Sequence, residues 1–257
     1  MQEKPLILVT NDDGITASGL RALSDVVRPM GNVIVIAPDK PQSGTSHAVT
    51  MHFPLRLTTI HKEVGFEKYS CNGTPADCIK LAYKVILGRK PDLLVSGINH
   101  GSNSSINIIY SGTMAAVFEG AMAGVPSIGF SLLNSSPNAD FTASRIYAQQ
   151  IIRTVLKQKL PKSTCLNVNI PHVPLDEIKG IRICRQSSGT WMEDFDIRKD
   201  PKGREYYWMK GTFSQAGEGE DTDEWALEHK YVSVVPANYD FTDYPAIKEL
   251  KQWDFSS

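Results

Sequence analysis

The sequence predicts an α/β protein built on a mostly parallel sheet. Three observations carry that reading. Apolar runs of strand length recur at Leu6 to Thr10, Asn32 to Ala37, Pro91 to Asn99, Pro126 to Leu133 and Cys165 to Ile170. They are rich in branched residues and show no polar face, as strands covered on both sides by helices do. Segments of helical spacing stand between them, and strand, helix, strand in that order implies a right-handed parallel crossover. Beyond about residue 172 apolar and polar residues alternate instead, which predicts an antiparallel β extension.

Taken in order, the first run is Leu6-Ile-Leu-Val-Thr-Asn-Asp-Asp-Gly14, an apolar stretch that stops on two carboxylates and a glycine. From Ser18 to about Pro29, Leu20, Leu23, Val26 and Val27 fall at helical spacing, and Gly31 ends the connection. The second strand stops on polar and turn residues, Pro38 to His47, which include Asp39 and Ser43. Residues 48 to 70 alternate in Val49-Thr-Met-His-Phe and Leu55-Arg-Leu-Thr-Thr-Ile, so an antiparallel edge or hairpin is expected there. Thr74 is the natural cap, and Pro75 a first-turn residue, of a helix running to about Leu87. The third strand of the core ends in a polar cluster of Asn99, His100, Ser102, Asn103, Ser104, Ser105 and Asn107.

Tyr110 to Gly124 reads as a small-residue helix, and Ala143 to Leu160 as an amphipathic one. In the last third, Ile181 to Arg185, Glu205 to Lys210 and Tyr231 to Pro236 read as strands alternating in the antiparallel manner, around the glycine-rich, acidic stretch Gly211 to Asp223. Trp191, Trp208, Trp225 and the tyrosines near them are expected to pack an interface rather than to stack on a base. The architecture therefore divides into a core over 1–171 and a β-rich extension over 172–257, which need not fold independently.

Composition narrows the function. With 257 residues and 41% apolar content the chain can bury a sizeable core. Its 27 basic and 28 acidic residues give a net charge of −1 without long runs of either sign, so neither nucleic acid nor an anionic membrane is an expected partner. The start, Met-Gln-Glu-Lys-Pro, lacks the signature of a signal peptide, and no stretch is long enough to span a bilayer. Cys71, Cys78, Cys165 and Cys184 show no CxxC spacing, so reduced thiols in a cytoplasmic protein are the expectation.

The chemistry-bearing residues sit at strand ends. In open parallel sheets the carboxyl ends of the strands face the ligand. Three of those ends present Asp12 with Asp13, the Ser43 loop and Asn99. Each alone has a plain reading: Asp-Asp-Gly as a turn, Ser43 as a loop hydroxyl, Asn99 as a turn cap. Together they form an oxygen-only shell suited to Mg²⁺ or Mn²⁺, with room for waters and a phosphate. The helix start at Ser111-Gly112-Thr113 offers hydroxyls and free backbone N–H groups to an oxyanion. A phosphate monoester at this edge would be hydrolysed by a water activated on the ion, without a covalent nucleophile. His47, His52 and His100 lie near but lack metal-ligand spacing, so solvated or satisfied side chains are expected.

These residues resemble a known family. Leu8-Val-Thr-Asn-Asp-Asp-Gly14, Ala37-Pro-Asp with Gln42-Ser-Gly44, Asn72-Gly-Thr-Pro-Ala-Asp77, Val95-Ser-Gly-Ile-Asn99, Tyr110-Ser-Gly-Thr113 and Leu166-Asn-Val-Asn-Ile-Pro171 look like successive signatures of the survival protein SurE family. The resemblance implies a Rossmann-like three-layer α/β/α core and a divalent-metal-dependent nucleotidase that dephosphorylates nucleoside monophosphates, some members also trimming polyphosphate. It implies one Mg²⁺, Mn²⁺ or Co²⁺ per subunit held by Asp12, Asp13, Ser43 and Asn99, with Asp12 and Asp13 catalytic. Asn103, Ser111, Gly112 and Thr113 then face the substrate. It further implies a homodimer or homotetramer that exchanges C-terminal elements. Two departures stand out. Ser104-Ser-Ile-Asn107 replaces the glycine and acidic residues of many relatives, and Glu224-Trp225 stands where relatives often carry an aromatic-histidine pair.

A receiver-like signalling module also places an acidic pair after its first strand. It requires an Asp after its third strand and a Lys after its fifth, where this chain has Asn99 and Asn169-Ile-Pro171. A nucleotide sensor would bind without releasing phosphate.

Overall fold

The computed structural model describes residues 4–214 and 219–255, so Met1-Gln-Glu and the middle of the Gly211 to Asp223 stretch lie outside the described residues. The first half of the chain forms β1 (Leu6–Thr10), α1 (Ser18–Val27), β2 (Asn32–Pro38), β3 (Leu57–Glu63), β4 (Phe66–Cys71), α2 (Pro75–Leu81) and β5 (Leu93–His100). A short helix α3 (Asn107–Tyr110) and the longer α4 (Gly112–Met122) follow, then β6 (Ser127–Leu132), α5 (Thr142–Gln158) and β7 (Thr164–Ile170). The remainder is β8 (Ile181–Ile183), β9 (Thr190–Lys199), β10 (Glu205–Ser214), α6 (Asp223–Glu228), β11 (Val232–Asn238) and α7 (Tyr244–Leu250).

The strands of the main sheet run in the order β3-β4-β2-β1-β5-β6-β7-β11-β8. From β4 to β7 every neighbouring pair is parallel. The expected hairpin is present as the antiparallel pair β3–β4 on one edge. The alternation in Val49 to Phe53 forms no strand, because that segment wraps over the start of α2, where Thr50 N and Ala48 O bond to Asp77 and Thr74.

Successive side chains of a strand point to opposite faces, and both faces of β1 are apolar. Ile7 and Val9, with Val33, Val35, Leu93 and Val95, pack against Leu20 and Leu23 of α1 and Ile151 and Ile152 of α5. Leu8, Ile36 and Leu94 pack on the other face against Ile79 of α2 and Met114 and Val117 of α4. The result is a three-layer α/β/α core. Helix α2 starts where the sequence places it: the Thr74 hydroxyl accepts from Asp77 N at 3.2 Å, and the Asp77 carboxylate accepts from Thr74 N at 2.9 Å. One π-helical turn, Ala82–Ile86, prolongs it.

Two boundaries differ from expectation. The small-residue helix is broken at Ser111, whose extended backbone ends α3 and whose hydroxyl accepts from Met114 N at 3.1 Å to start α4. In the last third, β11 does run antiparallel to β7, but β8 pairs parallel with β11, so these segments widen the main sheet. The β9–β10 pair stands outside it as a two-stranded antiparallel hairpin. Among the described residues no helix is long and apolar enough to cross a membrane.

Candidate active site

Asp12 and Asp13 follow the last residue of β1, where the backbone turns away through Gly14, whose φ of +100° favours glycine. Asp12 is almost fully buried, and its Oδ1 accepts from the Thr113 hydroxyl at 2.5 Å. Gly112 lies against the same carboxylate. A Cβ added there would stand 2.8 Å from Asp12 Cβ and 3.0 Å from its Oδ2, so only a residue without a side chain fits beside that oxygen. The loop after β2 is tied to the pair by Gln42 N, which donates to Asp12 O at 2.7 Å. Ser43 is the next residue, exposed at the tip of a turn closed by Thr45 onto Gln42 O.

Asp13 faces β5. Its Oδ2 accepts from His100 N at 3.2 Å and His100 Nδ1 at 3.1 Å. The ring of His100 is held from behind by Ser18 at 3.3 Å and by an edge contact with Phe141. Asn99, one residue earlier, donates Nδ2 to Gly101 O at 2.9 Å, which leaves its carboxamide oxygen as the group it can offer. Register places Asn99 opposite Ser131 of β6. Ser131 Oγ in turn accepts from Asn103 Nδ2 at 2.8 Å. Asp12, Asp13, Ser43, Asn99, Asn103, Ser111, Gly112 and Thr113 thus all stand at the carboxyl edge of the sheet.

The electrostatics of the pair are unbalanced. Burial pushes the Asp12 carboxyl up to about 6; the Thr113 hydrogen bond opposes that shift and the charge of Asp13 adds to it. Among the described residues no lysine or arginine forms an ion pair with either carboxylate. Nor do three or more histidine, cysteine, aspartate or glutamate side chains gather in metal-holding geometry among them. The available donors are two carboxylates with neutral amide and hydroxyl oxygens, a hard set.

The family model of the survival protein SurE matches residues 7–193. The chain belongs to the SurE family. A protein of Christiangramia forsetii named 5'-nucleotidase SurE is 56% identical over 99% of both chains. One of the same name from Flavobacterium psychrophilum is 53% identical over 98% of this chain and 99% of that one. The crystal structure of the SurE protein from Aquifex aeolicus is 40% identical and superposes with a TM-score of 0.83, covering 96% of this chain and 98% of that one.

Several contacts at this edge of the sheet are not legible in the sequence. Asn167 and Asn169 of β7 point into the same buried network: Asn167 Nδ2 donates to Asn103 O at 2.7 Å, and Asn169 Oδ1 accepts from Asn103 N at 2.8 Å. Both lie in the Leu166 to Pro171 stretch that carries the resemblance, but nothing local in it pairs them with Asn103. His47 contacts Glu119 at 2.8 Å, a residue buried within α4 and far away in sequence. The two stretches expected to depart from the SurE pattern meet in space. Ser104 donates to Glu224 Oε1 at 2.5 Å and Ser105 N to Asp223 Oδ2 at 2.8 Å, locking this loop onto α6. Trp225 meanwhile stacks on His229, ring centroids 3.9 Å apart, so an aromatic-histidine contact forms one helical turn along.

Proposed function

We propose that this chain is a divalent-metal-dependent 5'-nucleotidase, which hydrolyses nucleoside monophosphates to nucleoside and phosphate. The names of its close SurE relatives support the activity. The observation that carries the chemistry is the buried Asp12, oriented by Thr113, beside the first turn of α4.

Asp12, Asp13, Ser43 and Asn99 would hold one Mg²⁺, Mn²⁺ or Co²⁺ per subunit. The fit is chemical: two adjacent carboxylates, one of them nearly buried, have no lysine or arginine partner among the described residues, and a bound cation would offset their charge. When bound, such an ion supplies Lewis-acid polarisation of the phosphoryl group and a more readily deprotonated water. The protein's own contribution is positional. The first N–H groups of a helix have no partner within it. Ser111 Oγ takes that of Met114 and the Asp12 carboxylate that of Thr113, which leaves the Gly112 N–H to donate to a phosphoryl oxygen. Thr113 holds Asp12 and His100 holds Asp13, so neither carboxylate rotates away. Asn103 borders the substrate on the far side, its backbone fixed by Asn167 and Asn169. A terminal phosphate of polyphosphate presents the same group and belongs to the same reading.

Phosphate release from a panel of nucleoside monophosphates tests this. EDTA should silence the enzyme, and Mn²⁺, Mg²⁺ or Co²⁺ should restore it. Asp12→Asn and Asp13→Asn should each lower turnover by roughly a thousandfold or more, as loss of a group acting on the reacting centre does, while the melting temperature stays near that of the wild type. Full activity in both variants would sink the assignment.

The remaining proposals concern assembly and location. Of the division into a core over 1–171 and an extension over 172–257, the β9–β10 hairpin standing off the main sheet supports the extension, while β8 and β11 join the core sheet. The hairpin exposes Phe195, Ile197, Tyr207, Trp208 and Met209. A two-stranded hairpin is marginal alone, which supports a homodimer or homotetramer that exchanges C-terminal elements. Four buried free cysteines accord with a cytoplasmic protein.

A further inference from the structure

A cavity of about 380 Å³ opens beside the edge just described, between Gly44 and Tyr110 of the core and Trp191, Glu193, Met209 and Gly211 of the hairpin. That size falls among small-molecule sites. Gly44 follows Ser43 and Tyr110 precedes Ser111, so each wall starts one Cα step, about 3.8 Å, from a residue assigned to ion or phosphate. The two core walls are joined: Ser46 N donates to Tyr110 O at 3.1 Å and Ser46 Oγ to Ile109 O at 2.7 Å.

The hairpin wall is ordered by side chains. Strand alternation puts Trp191 and Glu193 on one face, with Phe213 and Gly211 their cross-strand partners. Lys210 also borders the cavity, while its ammonium is drawn to Asp194 at 3.2 Å. The Trp191 indole N–H donates to Asn107 Oδ1 at 2.8 Å, and its ring packs edge-on against Phe213. These contacts set the indole plane, yet Trp191 and Tyr110 remain 41% and 49% exposed, so ring surface is available. Gly211 keeps the floor open: a Cβ there would stand 3.4 Å from the Trp191 ring and 3.0 Å from Met192 O.

We propose that this cavity is the nucleobase subsite, with Tyr110 and Trp191 as stacking surfaces and Glu193 as the group that reads the base. The inference rests on the nucleotidase reading above and names the residues that select among its substrates. An ionised carboxylate only accepts hydrogen bonds. Guanine presents two adjacent donors on one edge, its ring N1–H and its exocyclic amino group. Adenine and cytosine present an amino group alone, and uracil a single ring N–H. Purines also bring the larger ring to the indole. The order of preference is therefore guanosine, adenosine, then pyrimidine monophosphates.

The test compares kcat and KM for guanosine, adenosine and cytidine monophosphates with those for ribose 5-phosphate, which has the sugar phosphate and no base. Trp191→Ala should raise KM for guanosine monophosphate about tenfold or more, the scale of one base-aromatic stack, and leave ribose 5-phosphate unchanged within about twofold. Trp191→Phe should retain most of the nucleotide affinity. Glu193→Gln should erase the advantage of guanine over adenine. Equal losses on the nucleotide and on ribose 5-phosphate, whether or not the oligomeric mass changes, would overturn the proposal, since Trp191 would then serve folding or assembly. So would wild-type kinetics indifferent to the base. Absence of turnover on every substrate would instead overturn the nucleotidase reading itself.

Discussion

At the scale of single residues, the site depends on an atom that is missing. Gly112 has no conformational need to be glycine; it is required because any Cβ would meet Asp12. Gly112→Ala is expected to displace either that carboxylate or the start of α4. A misplacement of about 1 Å costs on the order of a hundredfold in rate, so kcat/KM for a nucleoside monophosphate should fall by about that factor. Calorimetric titration of Mn²⁺ should show weakened binding alongside it. The stability of the chain should change little, because the strain is local and the loop can shift. A variant with unaltered metal affinity and rate would show that the close approach is incidental.

Helix α4 is the element that joins the site to the rest of the fold. Its first turn faces Asp12, and farther along Glu119 reaches both the Ser43 loop, through His47 at 2.8 Å, and α2, through Lys80 at 2.7 Å. Burial pushes the Glu119 carboxyl up, but the hydrogen bonds from His47 and Lys80 and their charge outweigh burial and hold it below the usual carboxylate range. A carboxylate whose pKa is lower folded than unfolded stabilises the protein above its unfolded pKa, and that contribution disappears as pH falls through the folded value. Glu119→Gln should therefore cost about 1 kcal/mol near neutral pH, the Lys80 partner being half exposed, and progressively less in acid. Urea titrations of both proteins across that range would show the two curves converging. At α2, the Thr74–Asp77 capping box predicts that Asp77→Ala lowers stability by about 1 kcal/mol, read from the denaturation midpoint.

On the scale of the whole molecule, the hairpin has two consequences. It brings Trp191 beside Tyr110, and it leaves Phe195, Ile197, Tyr207, Trp208 and Met209 exposed, the kind of apolar cluster that marks an interaction surface. Replacing exposed Ile197 and Trp208 together by Ser should shift the mass measured by light scattering toward the monomer, while core residues stay folded by circular dichroism. An unchanged oligomer would place the interface elsewhere, with the C-terminal arm around Phe241 and Trp253 the next surface to test.

The parallel core was legible because each of its strands is a short, uniformly apolar run, and uniform apolarity is what burial on two faces demands of a sequence. The cap at Thr74 and the strand-end donors Asp12, Asp13 and Asn99 were legible for a related reason: local rules of spacing and strand polarity place them without knowledge of distant contacts. The break at Ser111 was hidden, since residues on either side favour helix equally and only contact with Asp12 and the Ser46 loop decides where the chain turns. Nor could spacing reveal His47 on Glu119, Asn103 on Asn169, or Trp191 beside Tyr110. These pairs are far apart in sequence, and each depends on how layers stack or where the hairpin lands. The sequence by itself determined the sheet and the edge at which Asp12, Asp13 and Asn99 stand. Tertiary structure alone decided how each carboxylate is held and which hairpin side chains meet Tyr110, because those outcomes come from long-range packing that no local pattern encodes.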